Sequence, residues 1–158
     1  MDNLHDTVAA GLTERYTTLA DKVRELAGPL TDEQFWRKPF PFGNSFGHLV
    51  LHLTGNLSYY LGAQIAATGY VRDRGREFAE TARPSKKEVM QRFDDAIDLV
   101  LRTIRAQSPE DWSKPYTAQR EEDAGSRFNI FLRCATHFHH HVGQMMYLCF
   151  ELQRERVA

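Results

Sequence analysis

The stretch that decides the fold is ATHFHHHVGQMMYL, residues 135–148, in which four histidines fall within five positions. Apolar residues around it recur with helical spacing, which predicts one long helix over residues 127–153. Residues four apart share a helix face, so His137 and His141 lie together and Gln144 follows on the same side. His140 flanks this face, whereas His139 points almost the opposite way. The cluster therefore divides, and at most three of its histidines share one site.

A second pair of histidines lies in NSFGHLVLHLTGN, residues 44–56. His48 and His52 are four apart, and Asn56 falls on their face with Tyr59 near its edge. Imidazole is the commonest protein ligand for borderline divalent ions, so three histidines on two facing helices favour a metal site. A single pair at this spacing also arises by chance. For His5 and the histidines outside the site, a surface or core position is the simpler interpretation.

The rest of the chain also predicts helices. Long helices are expected over residues 6–27, from residue 44 or 45 to residue 69, after residue 85, and over residues 127–153. Ser85 is a predicted N-cap, and Thr31 with Gln34 forms a predicted capping box. TDEQFW and SPEDW each predict a short helical turn, and the segments between are polar loops. With no alternating strand pattern, we expect an all-α protein, a single four-helix-bundle domain over residues 1–158 with short extra helical turns.

Composition limits the classes of function. The 158 residues carry a formal net charge of −1, which argues against a nucleic-acid partner. No apolar run is long enough for a membrane span, and no signal-peptide pattern is present. Cys134 and Cys149 would lie about 22 Å apart on one helix, too far for a disulfide. We therefore expect a cytoplasmic protein with two buried, reduced cysteines.

The two histidine motifs together resemble the DinB/YfiT-like family of metal-dependent enzymes. The match rests on Asn44-Ser45 followed by LVLHLTGN, and on HFHHHVGQ in the last helix. The resemblance implies an antiparallel four-helix bundle, often a homodimer, with a divalent ion on His52, His137 and His141. His48 is a possible extra ligand that the family pattern does not require. Homodimerisation also agrees with an apolar girdle on the last helix that includes Phe128, Met146 and Phe150.

Three histidines leave coordination positions open, as in catalytic rather than structural zinc sites. The resemblance implies thiol-dependent transferases and isomerases that use a low-molecular-weight thiol such as bacillithiol or mycothiol. We expect a metal-bound thiolate that attacks a small-molecule electrophile. One alternative is a hydrolase that uses metal-bound water, and another is a non-catalytic metal-binding or stress-response interaction module.

Several side chains are candidates to assist this chemistry. Gln144 and Asn56 can orient ligands or substrate, and Tyr59 is either a proton donor or a packing residue. Neither motif contains a carboxylate, so the sequence names no general base. Zinc or nickel is favoured, and iron or manganese also suits three histidines. The arginines of the polar connection either meet an anionic cosubstrate or are solvated; they are Arg72, Arg74 and Arg76.

Overall fold

The computed structural model of the chain describes residues 3–157, with side chains from residue 3 to residue 154. Within these residues the secondary structure is almost entirely helical, which confirms the predicted all-α class. The helices are α1 Leu4–Ala27, α2 Asp32–Trp36, α3 Phe46–Leu57, α4 Arg74–Ala79, α5 Lys86–Arg105 and α6 Arg127–Val157. A π-helical turn, Ser58–Ala63, continues α3, and a 3₁₀ turn, Pro109–Ser113, follows α5.

The four long helices form a bundle in which α1 and α3 each pack against both α5 and α6. Helices α1 and α6 run in the same direction. The Tyr16 hydroxyl donates to the carbonyl oxygen of Phe131 at 2.7 Å, and further along both helices the Cys149 thiol lies 3.6 Å from the carbonyl oxygen of Leu26. From the first contact to the second, the residue number increases in both helices, so α1 and α6 are parallel.

Helices α3 and α5 form the second parallel pair. Leu51 and Arg92 line one surface pocket, and further along Gly62 contacts Leu99. The two pairs run in opposite directions, because Lys86 at the start of α5 donates to the carbonyl oxygen of Ala27 at the end of α1. The predicted antiparallel relation therefore holds between the two pairs, and among successive long helices only α3 and α5 run in the same direction.

A parallel pair needs a crossover connection, because the chain must return the length of the bundle before the second helix begins. Residues 64–85 form this crossover between α3 and α5, and they include α4. The sequence predicted a second helix up to residue 69 and an irregular polar connection after it. Both predictions were wrong in detail, since the helical segment ends at Ala63 and α4 interrupts the connection.

The predicted caps are confirmed. Thr31 and Gln34 form the capping box at the start of α2. The Ser45 hydroxyl accepts from the backbone N–H of His48, and the Ser85 hydroxyl accepts from the backbone N–H of Glu88, each at 3.2 Å. These bonds satisfy N–H groups that the first turn of a helix leaves without a helical partner, and they fix where α3 and α5 begin.

Two features of the fold were not predicted. Pro115–Tyr116 and Gly125–Ser126 pair as two antiparallel strands inside the loop before α6. Strands of two residues are too short to produce an alternating pattern. Helix α6 also continues to Val157 instead of ending at residue 153.

One apolar cluster occupies the centre of the bundle, with Tyr16, Phe93, Phe131 and Phe138 among its fully buried side chains. Burial of this apolar surface between the helices is the main stabilising contribution to the fold. Cys134 and Cys149 are buried free thiols of α6. No helix in the described part of the chain has both the length and the apolar character that a membrane span requires.

Candidate metal centre

Three histidines meet between α3 and α6. The Nε2 atom of His137 lies 3.1 Å from Nε2 of His52 and 3.0 Å from Nε2 of His141. One ring nitrogen from each histidine falls within 4.8 Å of the others, so this group has the spacing to hold a metal ion. His52 is 4% exposed, His141 is 9% exposed, and His137 is partly buried. The opposed directions of α3 and α6 thus bring the three predicted ligands together.

Hydrogen bonds on the far side of two rings decide which nitrogen carries the hydrogen. Nδ1 of His52 lies 2.8 Å from Oε2 of Glu77, and a carboxylate only accepts, so Nδ1 donates. Nδ1 of His141 lies 2.7 Å from Oε1 of Gln144 and donates in the same way. Both Nε2 atoms therefore present lone pairs towards His137.

The environment keeps the imidazoles of His137 and His141 neutral. Burial, followed by the neighbouring His141 and His52 rings, lowers the pKa of His137 to about 3. Burial also lowers the pKa of His141 to about 4, although the hydrogen bond with Gln144 opposes the shift. Neutral imidazole is the form that binds metals, so these side chains are ready to coordinate at neutral pH.

The donor set fits a divalent ion. A hydrogen on Nε2 of His137 can bond well to only one of its two neighbours, which leaves the other contact between nitrogens unfavourable. Two nitrogens that each lie about 2.0–2.1 Å from one zinc ion are at most about 4.2 Å apart. The separations of 3.0 and 3.1 Å lie within that limit. A cation that accepts the three lone pairs removes the conflict.

A buried ion pair orients His52. The Arg72 guanidinium binds both oxygens of Glu77, with Nε at 2.6 Å from Oε1 and an Nη at 2.9 Å from Oε2. Burial raises the pKa of the Glu77 carboxyl, but the bonds from His52 and Arg72 outweigh it and hold this pKa below its usual range. A carboxylate behind a ligating histidine fixes its tautomer and ring orientation, as in other metal sites.

Gly55 provides the space for that carboxylate. A Cβ added at Gly55 would lie 2.1 Å from Oε1 and 2.8 Å from Cδ of Glu77. No side chain of any size therefore fits on α3 where the crossover approaches it. The glycine of LTGN is required for this close approach, one turn after His52.

Two buried polar atoms have no hydrogen-bond partner among the described residues: Oδ1 of Asn56 and Nδ1 of His137. Both side chains line a cavity of about 170 Å³ that also reaches His52. Buried polar atoms are usually hydrogen-bonded to protein or to ordered water. Two unpaired polar atoms at this cavity therefore indicate that it binds a polar ligand.

His48 does not join the three-histidine group. Its Nδ1 lies 2.6 Å from the Ser45 hydroxyl and its Nε2 lies 3.2 Å from the carbonyl oxygen of Glu80. The Trp36 ring packs edge-on against the imidazole, with centroids 5.3 Å apart. Nδ1 of His48 is thus engaged with the N-cap of α3 and Nε2 with the crossover, which leaves neither nitrogen for the extra ligation that the sequence suggested.

The remaining histidines lie outside the group as well. His5 Nδ1 accepts from the indole N–H of Trp112 at 2.9 Å. His139 is exposed on α6. His140 is also exposed, although its Nε2 lies 3.3 Å from Nε2 of Gln144. Gln144 therefore connects the cluster to the surface through its contacts with His141 and His140.

The three candidate arginines have separate environments. Arg72 is largely buried and bound to Glu77, as described above. Arg74 lies over the Phe78 ring, 5.3 Å from its centroid, and lines the 170 Å³ cavity. Arg76 is exposed and lies 3.5 Å from Glu80, outside this cavity. Of these three arginines, only Arg74 both lines the cavity and has no carboxylate partner among the described residues. That the arginines meet an anionic cosubstrate stays a prediction.

The tyrosine that lines the cavity is Tyr60, whereas the sequence suggested Tyr59. Tyr60 lines the cavity and lies beneath the Arg72 guanidinium, 5.6 Å from the ring centroid. Tyr59 is partly buried and packs against the Tyr60 ring, with centroids 5.0 Å apart. The π-helical turn Ser58–Ala63 shifts the helix face here, so a regular helical wheel selects the wrong neighbour. The packing interpretation of Tyr59 agrees with this placement.

A second concave surface adjoins the cluster at Gln144, whose amide oxygen accepts from Nδ1 of His141. It has a volume of about 460 Å³ and is mainly apolar. Its lining includes Phe40, Phe42, Leu49, Tyr147 and the polar side chain of Gln144. The site therefore adjoins both a cationic cavity and an apolar groove, an arrangement suited to small-molecule ligands.

Sequence reasoning missed Glu77, Tyr60 and Gly55. Glu77 follows His52 by 25 residues and lies in a segment that reads as a polar loop, so spacing gives no signal for it. Gly55 does carry a signal, because a glycine inside a helix costs stability and needs a packing reason.

Together, the fold and site define a helical bundle of two opposed parallel pairs that carries three convergent histidines beside an accessible cavity. The chain belongs to the DinB superfamily, which matches residues 15–145 and thus includes all three histidines. The resemblance seen in the two histidine motifs is thereby confirmed. Membership and the cluster are both compatible with metal binding. Among curated proteins, none matches the sequence significantly.

Proposed function

We propose that this protein is a metal-dependent enzyme that transfers a low-molecular-weight thiol to a small electrophile. In this proposal His52, His137 and His141 hold a divalent ion, with zinc or nickel favoured and iron or manganese also suited to the donors. The observation that carries the proposal is the convergence of three histidine Nε2 atoms, with no fourth side chain in the group among the described residues. Three protein ligands with an open position are typical of catalytic sites.

The engagement of Glu77 favours a reaction that needs no protein general base. Its carboxylate is bound to His52 and Arg72, so it is not a free general base. A divalent ion supplies Lewis acidity that deprotonates a coordinating thiol outright, and such a thiol needs no separate base. The thiol sulfur would form a bond to the electrophilic carbon while the bond from that carbon to the leaving group breaks, and the thiol proton would pass to solvent or to the leaving group. Hydrolysis by metal-bound water is the second candidate, since metal-bound hydroxide also needs no protein base.

Residues around the cluster have defined roles in this proposal. Gln144 orients His141 through the bond to Nδ1, and its amide also faces the apolar groove. Asn56 places a partnerless amide oxygen at the cavity and is suited to bind a donor group of the substrate. Cys134 also lines the cavity, but burial raises the pKa of its thiol, so the reacting sulfur belongs to the cosubstrate.

Metal content in matched variants tests the ligand set. Untagged wild-type protein should contain about one equivalent of a transition metal, as expected for a single three-histidine site. His52→Ala, His137→Ala and His141→Ala should each abolish tight binding. His139→Ala is the control, because this histidine is exposed on the same helix and outside the group. Full metal occupancy in any of the three ligand variants would refute the assignment.

Activity assays then separate the candidate functions. Metal-loaded protein should accelerate conjugation of bacillithiol or mycothiol to an alkylating electrophile, and chelator-stripped protein should not. Ester or amide hydrolysis without added thiol would favour the hydrolase. Metal binding with neither activity would support the non-catalytic module.

We also propose that the protein is a cytoplasmic homodimer. The outer face of α6 exposes several large apolar side chains, with Tyr147 at 73% and Phe150 at 59% exposure. Phe128 on the same helix is 39% exposed. Exposed apolar patches of this kind mark interaction surfaces. Sedimentation of the wild type as a monomer at high concentration would contradict the dimer, and Phe150→Glu should weaken it.

A further inference from the structure

Arginines dominate the 170 Å³ cavity beside the cluster. Its lining includes His52 and His137 of the candidate metal centre and four arginines, Arg72, Arg74, Arg120 and Arg133. The arginines come from three separate parts of the chain: the crossover, the loop before α6, and α6 itself. The bundle thus concentrates positive charge on one side of the histidines, although the whole chain has a formal net charge of only −1.

Two of these arginines are already neutralised. Arg72 is bound by both oxygens of Glu77. Arg133 binds Glu121 at 2.8 Å and Asp123 at 2.7 Å. Since Glu121 is the one carboxylate among the lining residues, the cavity has no further acid of its own with which to balance the other two arginines.

Arg74 and Arg120 remain without a carboxylate partner among the described residues. Arg74 contacts the Phe78 ring, which is a weak interaction that leaves its N–H donors available. Arg120 has a left-handed backbone, with φ +70°, and its N–H donates to Glu122 at 2.8 Å. That bond fixes the backbone and lowers the pKa of the Glu122 carboxyl, to which the nearby guanidinium adds a weaker attraction. The guanidinium itself forms no hydrogen bond or ion pair among the described residues. Both side chains are exposed and line the cavity, so their guanidinium groups can bind a ligand that enters from solvent.

We propose that this cavity is an oxyanion-binding site that holds the carboxylate or phosphate end of the substrate or cosubstrate. Guanidinium groups bind both oxyanions with two parallel hydrogen bonds. A volume of about 170 Å³ is smaller than a typical site for a whole ligand, so the cavity accommodates only the anionic end of the molecule. The reacting end of the same molecule then lies at the histidines, and this part of the inference rests on the proposed function.

Titration of metal-free protein with inorganic phosphate and with succinate tests the site. Calorimetry at low ionic strength should detect saturable binding of at least one of the two anions to the wild type, and the stronger one identifies the oxyanion. The paired substitution Arg74→Gln and Arg120→Gln should weaken that binding by at least about tenfold, as expected for loss of charged hydrogen bonds. Arg76→Gln should leave it unchanged, because Arg76 lies on the same short helix but outside the cavity.

The outcomes separate this inference from the proposed function. Equal binding by wild type and the double variant, or no saturable binding of either anion to the wild type, overturns the oxyanion site. Zinc affinity should be unaffected in the double variant, because neither arginine contacts a histidine of the group. Wild-type protein that binds phosphate but no metal would retain the oxyanion site while refuting the metal-dependent reaction.

Discussion

The substitution Gly55→Ala probes the support behind His52 without changing any ligand or any charge. The new methyl carbon would lie 2.1 Å from Oε1 of Glu77, where ordinary contact begins near 3.4 Å. The carboxylate must therefore move by more than about 1 Å, and its 2.8 Å bond to His52 Nδ1 is lost. Loss of such a supporting partner costs about 10–100-fold in metal affinity, or about 1.4–2.7 kcal/mol.

Competition with a chromophoric chelator at fixed pH measures the zinc affinity of each variant. Alanine is the better helix former by about 1 kcal/mol, so a general loss of helix stability cannot explain weaker binding. Gly143→Ala is the matched control. Gly143 lies within the histidine motif of α6, between His141 and Gln144, and an added Cβ there meets nothing within 4 Å. Wild-type zinc affinity in Gly55→Ala would refute the view that Glu77 orients His52.

Three further predictions concern pH and packing. Zinc occupancy should fall as the pH approaches about 4 and about 3, the pKa values of His141 and His137, because protonated imidazole does not ligate; unchanged affinity at about pH 3 would exclude histidine ligation. In metal-free protein the pKa values of His137 and His141, about 3 and about 4, lie below that of unfolded histidine. The unfolded chain therefore binds more protons below about pH 6.5, and the free energy of unfolding should fall from there towards pH 4, as urea titrations would measure. Gly47→Ala should destabilise the fold by about 1–3 kcal/mol, because the added Cβ would lie 2.8 Å from the rings of Phe35 and Trp36; an unchanged urea midpoint would contradict this packing.

The helices and the histidine faces were predictable because both depend on local periodicity. A spacing of four residues puts His137 and His141 on one face whatever the remainder of the chain does. Burial of the apolar stripes of both helices then packs α3 against α6. This packing places His52 beside His137 and His141. The sequence therefore contained most of the information for the three-histidine cluster.

The surroundings of the cluster were not predictable in the same way. Glu77 reaches His52 only because the chain crosses from one end of the bundle to the other, and this depends on which helices run parallel. Tyr60 replaces Tyr59 at the cavity because a π-helical turn changes the local rotation per residue. Arg120 lies in a loop, where the sequence has no helical periodicity from which the position of its side chain could be predicted.

The crossover has a consequence for protein design. A two-helix or four-helix scaffold that copied only α3 and α6 would reproduce the three imidazoles but would leave His52 without the ion pair of Arg72 and Glu77. Conversely, exchange of residues 64–85 between bundles of this topology would change the residues that orient His52 in the candidate metal centre. The crossover, residues 64–85, is therefore the segment to vary in such designs, provided that the helix equivalent to α3 has a glycine at the position of Gly55.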